Sequence, residues 1–516
     1  MATNVPAPDF ASSVAKTKHP LVAKFSIVVP TGTTVTVEFG LDTKYGRSTS
    51  AVPAPAGGGL VSILVAGMMP ATLYHMRAVV KFRDGWAHYD QDRQFQTGVL
   101  PLGPLPTLTA LTAPNQTPNR GVELINIIEP SRISVVSDLA GNIIWYYPDD
   151  ADRSWKGFAF PIKPLPNGNL VASISNMYMR TRPGGPLEPP QSVLREVDLT
   201  GETVVVAGRK RELWLIALNK DLAHLPTSKG TIVNAIYYSH DFLPLPNGHT
   251  ILIVQQSQPP TIDGLAPTGI VGDALIDLDE NFNPVWVWSA FDWLDINRAP
   301  YSFPPDWTHC NAVLATPDGN LLLSSRHQSW LMKLDYANGQ GSGKILWKLG
   351  FQGDFTLQSN GAPDPDMSHW FFCQHFPWIL ATSGPNITQL AVMDNGNDRV
   401  NPNGTYPTPG KDSPGAFSRA LVLAINEPAR TASIAWQFFP NVFNWWGGSV
   451  VRLANGNIEV DLAQPDPVGQ QPRDRPSWVY ELTNAATPQL IWQMQIAPGA
   501  AYRSYRIPSL YPGVKW

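Results

Sequence analysis

A short turn motif recurs along this 516-residue sequence and constrains the fold more than any other feature. Each copy contains Asn-Gly or Asp-Gly and leads into an apolar stretch that has the length of a strand. These dipeptides favour two-residue hairpin turns, because both central residues of such a turn need positive φ. The copies are Leu165–Leu170, Leu245–Thr250, Thr316–Leu321 and Leu453–Ile458.

A second motif alternates with the first. It is an acidic or polar turn followed by a strand that usually carries tryptophan. Its copies end near Trp145, Val205, Trp286, Trp347, Trp436 and Trp492. Six repeated units of four strands over residues 120–495 predict a six-bladed β-propeller, an architecture that closes radially and leaves only short edges. The alternative, a long two-sheet sandwich, gives no reason for a recurring unit of two hairpins.

A separate domain is expected ahead of the repeats. Residues 1–99 contain alternating runs, such as Lys24–Val29 and Thr34–Phe39, that predict a small β-sandwich. The segment Met68–Tyr74 resembles the tyrosine corner of fibronectin-III-like sandwiches, in which the tyrosine hydroxyl bonds to backbone a few residues upstream. Residues 100–119 are rich in Pro and Thr and are interpreted as a linker, which leaves residues 120–516 for the propeller.

The composition excludes several classes of function. The 50 prolines favour an all-β fold with many turns, since proline removes a backbone donor and clashes in helix interiors. The net charge is −4 and there is no block of Lys or Arg, so we expect no nucleic-acid partner. No run of about 18 apolar residues occurs, so we expect no membrane span.

The compartment is less constrained. Residues 1–15 lack the apolar region of a signal peptide, which predicts a cytoplasmic protein as the sequence stands, or a periplasmic or secreted one if a signal has been removed. The two cysteines, Cys310 and Cys373, are too few for a disulfide scaffold, and whether they pair is left open.

Polar residues recur at matching offsets from the hairpin turns. In a propeller the strand before each of these turns borders the axial channel. His240 lies seven residues before Asn247, and Asn311 lies seven before Asp318. His309 precedes Asn311 by two residues and should share its face of the strand. The further candidates are Arg326, seven residues after Gly319, His375, which precedes another strand pair, and Ser449, before the last turn. His249, His327 and His369 lack this placement and are predicted to be structural or exposed.

Several strings in this region resemble the bacterial arylsulfate sulfotransferase family. They are Asp306–Asn311 (DWTHCN), Ser324–Ser329 (SSRHQS), Gln374–His375, Asp394–Gly396 and Lys344–Gly350. The resemblance covers most of residues 120–495. It implies a six-bladed catalytic propeller that moves a sulfuryl group from a phenolic sulfate ester to a phenol, without a nucleotide sulfate donor, metal or other cofactor.

The resemblance also implies roles for the candidates. His375 would be the nucleophile that becomes sulfurylated in a ping-pong reaction, and His240, His309, Asn311 and Arg326 would surround the sulfuryl group. Arginine suits this group because its planar donors pair with anionic oxygens. Either His309 or His240 could exchange the phenol proton, and the sequence does not choose between them. Ser449 would add a hydroxyl to the binding site.

Two other functions would also use parts of this sequence pattern. One is a metal-dependent propeller lyase or hydrolase, since imidazoles bind transition metals; against it, Arg326 would repel a cation, and no carboxylate has ligand-like spacing to the histidines. The other is a non-catalytic ligand-binding propeller, which would not need so many His and Arg residues on inner strands. The donor, the acceptor and the oligomeric state stay open, with a homodimer as one option.

Overall fold

The computed structural model describes residues 10–101, 103, 105–129, 131–148, 157–176, 191–258, 269–300, 305–382, 386–406, 416–463, 465–466 and 476–516. This part of the chain contains 40 strands and one α-helix, α1 (Leu215–Leu222). It also has three short 3-10 helices, Ala290–Asp292, Ala337–Gly339 and Met367–His369. The described chain is therefore all-β, as predicted. Its helices are too short or too polar to cross a bilayer.

Two sheets form the N-terminal part. The first has the strand order β1 (Ser12–Lys16), β2 (Ala23–Val29) and β6 (Gly59–Val65). The second has the order β4 (Arg47–Ser48), β3 (Thr34–Gly40), β7 (Leu73–Lys81) and β8 (Ala87–Tyr89), with β5 (Val52–Pro53) beside β3 and β9 (Arg93–Gln96) beside β7. Buried and exposed residues alternate along β2 and β3, so one face of each sheet contributes to a shared core.

The tyrosine contact predicted for this part is present. The Tyr74 hydroxyl accepts a hydrogen bond from the Met69 backbone N–H at 3.0 Å. This is the local contact expected of a tyrosine corner. The fibronectin-III-like class of the sandwich stays a prediction.

Six further sheets, named sheets 1 to 6, follow the order of the repeats. Sheet 1 contains β13 (Ile143–Tyr146), β12 (Ser134–Ser137), β11 (Val122–Glu129) and β40 (Ala500–Ile507), in that spatial order. Sheet 2 contains β14 (Phe158–Pro164), β15 (Leu170–Ser175), β16 (Ser192–Val197) and β19 (Glu212–Trp214). Sheet 3 contains β20 (Ala235–Pro244), β21 (Thr250–Gln258), β22 (Ile270–Leu278) and β23 (Pro284–Ser289).

The remaining sheets have the same pattern with additions. Sheet 4 contains β24 (Cys310–Ala315), β25 (Leu321–Ser325), β26 (Trp330–Leu334) and β27 (Ile345–Leu349). Sheet 5 contains β30 (His375–Thr382), β31 (Ile387–Asp394), β32 (Arg419–Asn426), β33 (Thr431–Phe438), β28 (Thr356–Ser359) and β29 (Ala362–Pro363). Sheet 6 contains β35 (Ser449–Arg452), β36 (Ile458–Leu462), β38 (Ser477–Leu482), β39 (Leu490–Ala497) and β10 (Thr107–Thr112). Two small hairpin-like pairs are β17 (Val205–Val206) with β18 (Arg209–Lys210), and β34 (Phe443–Asn444) with β37 (Pro465–Asp466).

Successive sheets pack on one another through apolar side chains. Six hydrophobic clusters lie between neighbouring sheets, including one between sheet 6 and sheet 1. The strands β14, β20, β24, β30, β35 and β40 contact each other in that order. The Tyr505 hydroxyl of β40 then donates to the Ile162 carbonyl of β14 at 2.7 Å. Burial of apolar surface at about 25 cal/mol per Å² makes each of these seams stabilising.

The hairpin turns lie where predicted, but they are not two-residue turns. In the first copy the Leu165 N–H donates to the Asn169 carbonyl at 2.8 Å, and the Gly168 N–H donates to the Leu165 carbonyl at 3.1 Å. Gly168 has φ of 89°, whereas Asn167 is not in the positive-φ region. The loop therefore has three residues with glycine in the left-handed position. The predicted requirement for two positive φ angles was wrong.

The tryptophan pattern is largely confirmed. Five of the predicted copies end in the fourth strand of a sheet, and their tryptophans are Trp145, Trp286, Trp347, Trp436 and Trp492. The exception is Val205, which lies in the separate pair β17–β18. Sheet 2 is completed by β19, which ends at Trp214.

Both segments that flank the six sheets make contacts. The segment interpreted as a linker contains β10, which pairs with β39 and extends sheet 6. At the other end, the Tyr511 hydroxyl donates to the Leu64 carbonyl at 2.8 Å, and Trp516 Nε1 donates to the Ser48 carbonyl at 3.0 Å. The residues after β40 therefore pack against the N-terminal sheets.

Candidate active site

Three predicted residues lie on neighbouring strands at irregular points of the ladder. His240 lies in β20, Asn311 in β24, and His375 begins β30. The pairing register shifts at each of these positions, between Tyr238 and Phe242, between Cys310 and Ala312, and between His375 and Trp378. A bulge bends a strand and re-aims a side chain that regular alternation would send elsewhere. Equivalent bulges in three sheets thus place the three predicted residues.

His309 reaches the site through an unusual backbone conformation. We expected it to share a strand face with Asn311, but β24 begins at Cys310 and His309 has φ of 47°. Phe376, directly after His375, has φ of 41°. Each such residue stores on the order of 1–3 kcal/mol of strain, and residues of this kind concentrate at functional sites.

Histidines from sheets 3 and 4 form one cluster of rings. The His309 ring centroid lies 4.4 Å from that of His240 and 4.5 Å from that of His327. His327 was predicted to be structural or exposed, but it is buried and belongs to this cluster. The Tyr502 ring of β40 lies 5.8 Å from the His240 ring and 5.9 Å from the His375 ring. Tyr502 thereby connects His375 to the cluster.

The hydrogen bonds of His375 fix which ring nitrogen carries the proton. Its Nδ1 lies 2.7 Å from Asn395 Oδ1. Asn395 Nδ2 donates to the carbonyls of Asn444 and Gly447 at 2.8 and 3.1 Å, so the amide oxygen must face His375. Nδ1 is therefore the donor, and Nε2 keeps a lone pair. The pKa of His375 is well below its usual value because of burial and then the charge of Arg326, so the ring is neutral at pH 7.

Arg326 directly follows β25, and its guanidinium contacts several elements. Nη1 lies 2.6 Å from Nε2 of His327. Nη2 donates to Asn397 Oδ1 at 3.4 Å and to the Trp445 carbonyl at 3.3 Å. Burial lowers the pKa values of His309, His327 and His240, and Arg326 adds to the effect in each case. The buried guanidinium of Arg326 thus lies among neutral imidazoles, which suits the binding of an anion.

Asp306 supplies a carboxylate to the histidine cluster. His309 Nδ1 hydrogen-bonds to Asp306 Oδ2, whereas His240 Nδ1 contacts the neutral hydroxyl of Ser239 at 2.8 Å. Burial raises the pKa of Asp306 to about 7, although Arg326 acts against this. Burial and then Arg326 lower the pKa of His309, and because the two groups are hydrogen-bonded their protonation is coupled.

Asp306 also changes the case for a metal. In the described residues, Asp306, His309 and His327 each offer one ligand atom, and these atoms lie within 4.8 Å of one another. Two imidazoles and a carboxylate suit zinc and related divalent ions. Our argument that no carboxylate has ligand-like spacing was therefore wrong. The other argument stands, because Arg326 Nη1 lies 2.6 Å from His327 Nε2 and its charge opposes a cation.

The two remaining predicted residues differ in what they can offer a ligand. Asn311 Nδ2 donates to the Gln374 carbonyl at 2.7 Å, and its buried Oδ1 has no hydrogen-bond partner in the described part of the chain. That oxygen can accept a hydrogen bond. The Ser449 hydroxyl donates to the Ser504 carbonyl at 2.6 Å, so its hydrogen is already used. The role of Ser449 stays a prediction.

The cysteines beside the site are buried free thiols. Burial raises the pKa of Cys373 to about 12 and that of Cys310 well above its usual value. Since the thiolate is the reactive form, neither cysteine has the character of a nucleophile.

Sequence reasoning missed Asp306, His327, Asn395 and Tyr502. The first three lie inside the strings that resemble the family, so their position in those strings was a signal that they belong near the site. Asp306 precedes His309 by three residues, and His327 follows Arg326 directly. Tyr502 lies in β40, far from every motif, and nothing in the sequence marked it.

Comparison with known proteins identifies the family of the chain. The family model described as Arylsulfotransferase (ASST) matches residues 112–504, which include all the predicted site residues. No curated protein matches the chain.

Solved structures show only distant similarity. A member of the duf4221 family from Bacteroides vulgatus is 9% identical, covers 78% of this chain and 97% of its own, and has a TM-score of 0.31. A protein from Lactobacillus plantarum is 8% identical, with coverages of 76% and 100% and a TM-score of 0.34. A variant of the Synechocystis apocarotenoid oxygenase is 10% identical, with coverages of 97% and 96% and a TM-score of 0.33. TM-scores this low do not establish a shared fold.

Proposed function

This chain belongs to the arylsulfotransferase family, and from that premise we propose that it moves a sulfuryl group from a phenolic sulfate ester to a phenol through a sulfohistidine on His375. The observation that carries the proposal is the hydrogen bond from His375 Nδ1 to an Asn395 oxygen whose orientation is fixed by two carbonyls. It leaves a buried, neutral imidazole with its Nε2 lone pair available, which is a good nucleophile.

The proposed architecture is a six-bladed propeller, with sheets 1 to 6 as its blades. The ordered contacts between β14, β20, β24, β30, β35 and β40 support it, as does the bond from Tyr505 to Ile162. Sheet 1 would be completed by β40, which joins the two ends of the repeat region. In such a ring the residues at the bulges of β20, β24 and β30 face one channel.

In the first half-reaction, Nε2 of His375 attacks the sulfur of the ester. The bond from sulfur to the phenolic oxygen breaks, and the phenolate leaves with its electron pair. Arg326 binds the sulfuryl oxygens, whose charge is spread as in loose phosphoryl transfer. The ring of His375 becomes positively charged. Asn395 stabilises this charge because its Oδ1 accepts a hydrogen bond from Nδ1–H. In the second half-reaction an acceptor phenol takes the sulfuryl group and restores the neutral histidine.

His309 is the proposed acid and base, with Asp306 as its partner. The proton held by the two residues passes from His309 Nε2 to the leaving phenolate, and the acceptor phenol later returns one. The His240 ring lies 4.4 Å from that of His309 and its Nδ1 contacts the Ser239 hydroxyl, so we assign it to packing and polarity around the sulfuryl group. A general acid works best when its pKa is near the operating pH, and the value of about 7 for Asp306 meets this condition.

The test is a burst experiment with a chromogenic aryl sulfate. Donor alone should release one phenol per site, and mass spectrometry after a non-acidic quench should find the sulfuryl mass on the peptide that contains His375. His375→Ala should remove both signals. A burst that survives in this variant, or an adduct on His309, would contradict the proposed nucleophile.

A metal-dependent reaction is the second candidate, supported by the donor set of Asp306, His309 and His327. The same assay separates the two functions. Sulfuryl transfer should persist after exhaustive chelation, and metal analysis of the purified protein should find less than one ion per chain. Loss of turnover on chelation, with recovery on addition of zinc, would favour the metal reading.

A further inference from the structure

Arg503 is a buried arginine that the reaction outlined above does not use. It lies in β40, the most C-terminal strand of the described chain, and its side chain is 1% exposed. A buried guanidinium is costly unless its donors and its charge are matched. Its partners therefore indicate what the side chain is there to hold.

The partners of Arg503 come from three neighbouring strands. Nη2 donates to the Asn311 carbonyl of β24 at 3.0 Å. Nη1 lies 3.2 Å from Asp241 Oδ1 of β20. The guanidinium carbon lies 3.9 Å from the ring centroid of Phe376 in β30. One planar group thus contacts sheets 3, 4 and 5 from sheet 1.

Each partner is a site residue or the neighbour of one in sequence. Asn311 is itself a predicted ligand of the sulfuryl group, Asp241 follows His240, and Phe376 follows His375. All three lie at the bulges that interrupt the regular ladder. Because ladder hydrogen bonds are missing there, the backbone needs another source of order, and Arg503 supplies a common point of attachment.

The charge arrangement explains why the group is an arginine. Asp241 also pairs with Lys163 Nζ at 2.7 Å, so a lysine at position 503 would still leave the carboxylate neutralised. A lysine could not stack flat on Phe376 and also donate to the Asn311 carbonyl while its charge lies beside Asp241. The planar guanidinium of Arg503 therefore matters for how it orients its neighbours more than for the charge it supplies.

We propose that Arg503 is a positioning residue, which sets the spacing between His240, Asn311 and His375 from a strand that belongs to another sheet. The inference rests on the proposed sulfuryl transfer but concerns a different property, the distance between groups that must act together. It assigns β40 a part in catalysis through Arg503, in addition to its place in sheet 1.

The experiment compares Arg503→Lys with Arg506→Lys in the burst assay. Arg506 is a matched control, because it lies in the same strand and is equally buried, but it pairs with Glu123, Glu481 and Glu459. Arg503→Lys should keep a burst amplitude of one phenol per site, while the burst rate falls by about 10- to 100-fold and KM changes by less than about twofold. Arg506→Lys should lower the melting temperature at least as much and leave the burst rate unchanged.

The outcomes separate positioning from a purely structural role. A structural defect would reduce the amplitude, since fewer molecules are active, while those that remain react at the normal rate; this result would overturn the proposal. So would an unchanged rate in Arg503→Lys, or an equal loss of rate in Arg506→Lys. If Arg503→Lys does not fold, Phe376→Leu decides instead, because it removes the ring under the guanidinium and should slow the burst. A normal rate in that variant would overturn the proposal, and the absence of a burst in the wild-type protein would refute the sulfuryl transfer itself.

Discussion

Replacing Asn395 with alanine should slow the sulfurylation of His375 without moving it to another residue. The substitution removes the acceptor that lies 2.7 Å from Nδ1 of His375. A neutral hydrogen bond contributes about 1 kcal/mol, and one with a charged partner contributes about 1.5–3 kcal/mol. Only the difference, about 0.5–2 kcal/mol, accelerates the reaction, because the ring is neutral before transfer and charged afterwards. At about 1.36 kcal/mol per factor of ten, this corresponds to a loss of about 2- to 30-fold.

The tautomer adds to this loss. Without Asn395 the proton of His375 can occupy either nitrogen, and only the Nδ1–H form leaves a lone pair at Nε2. A wrong tautomer has been costly in other enzymes that depend on an oriented imidazole. We therefore expect the burst rate of Asn395→Ala to fall by about 10- to 100-fold in total. Rapid-quench measurement of phenol release, followed by peptide mapping, tests the rate and the position of the adduct.

A control must separate this effect from loss of stability. Asn395 Nδ2 is a donor to the Asn444 carbonyl, so its removal should cost about 1–3 kcal/mol of unfolding free energy. Ser418→Ala perturbs the same region, since the Ser418 hydroxyl donates to the Asn395 carbonyl at 2.6 Å and accepts from the Asn444 N–H at 2.8 Å. It should lose comparable stability and keep the normal burst rate. A burst rate for Asn395→Ala within twofold of wild type would refute the reasoning.

Three further variants test other parts of the site and fold. Arg326→Lys keeps the charge but loses the paired donors, so turnover of an aryl sulfate should fall by about 100-fold or more, and near-normal turnover would make Arg326 structural. Burial raises the pKa of Asp306 to about 7, so the Asp306–His309 pair loses its proton as pH rises through that value. Phenol release from donors with poor leaving groups should then slow above pH 7, a nitrophenyl donor should show no such dependence, and Asp306→Asn should abolish it; equal profiles for both donors would contradict the assignment. Trp516→Ala removes a hydrogen bond to the Ser48 carbonyl and a cation–π contact with Arg47. The free energy of unfolding, measured with denaturant, should fall by about 2–4 kcal/mol. An unchanged midpoint would show that the packing of this end against the N-terminal sheets contributes little.

The parts of the fold that sequence predicted are those with a local physical cause. A hairpin needs glycine in the left-handed position, and a strand that packs between two sheets favours large apolar side chains, so both leave residues that can be recognised one unit at a time. The turn at Leu165–Leu170 and the strand that ends near Trp286 are examples. The completion of sheet 1 is different. Val122 pairs with Ile507, and no short segment of the sequence can indicate a contact between such distant residues.

The sequence singled out several residues that the structure brings together, but it did not predict the geometry of the cluster. Counting residues from the turns found His240, Asn311 and Arg326, because the distance along a strand is nearly constant. The alternation rule then failed at His309, whose positive φ breaks the strand, and the offset from the turns gave no sign that His327 is buried in the same cluster. Asn395 and Tyr502 approach from other strands, so their contacts depend on the packing of whole sheets.

The repeated unit itself explains why counting worked. Position 160 in sheet 2 has the same offset from its turn as His240 and Asn311 have from theirs, and it is occupied by Phe160, beside another register shift in β14. The Phe160 ring lies 5.1 Å from that of Tyr502, so this position too is directed toward the site. The bulge at this offset thus presents one side chain in each case, which is an aromatic ring in sheet 2, an imidazole in sheet 3 and an amide in sheet 4. The scaffold sets where these side chains lie, and the residue at each bulge sets the polarity of the surface at that point.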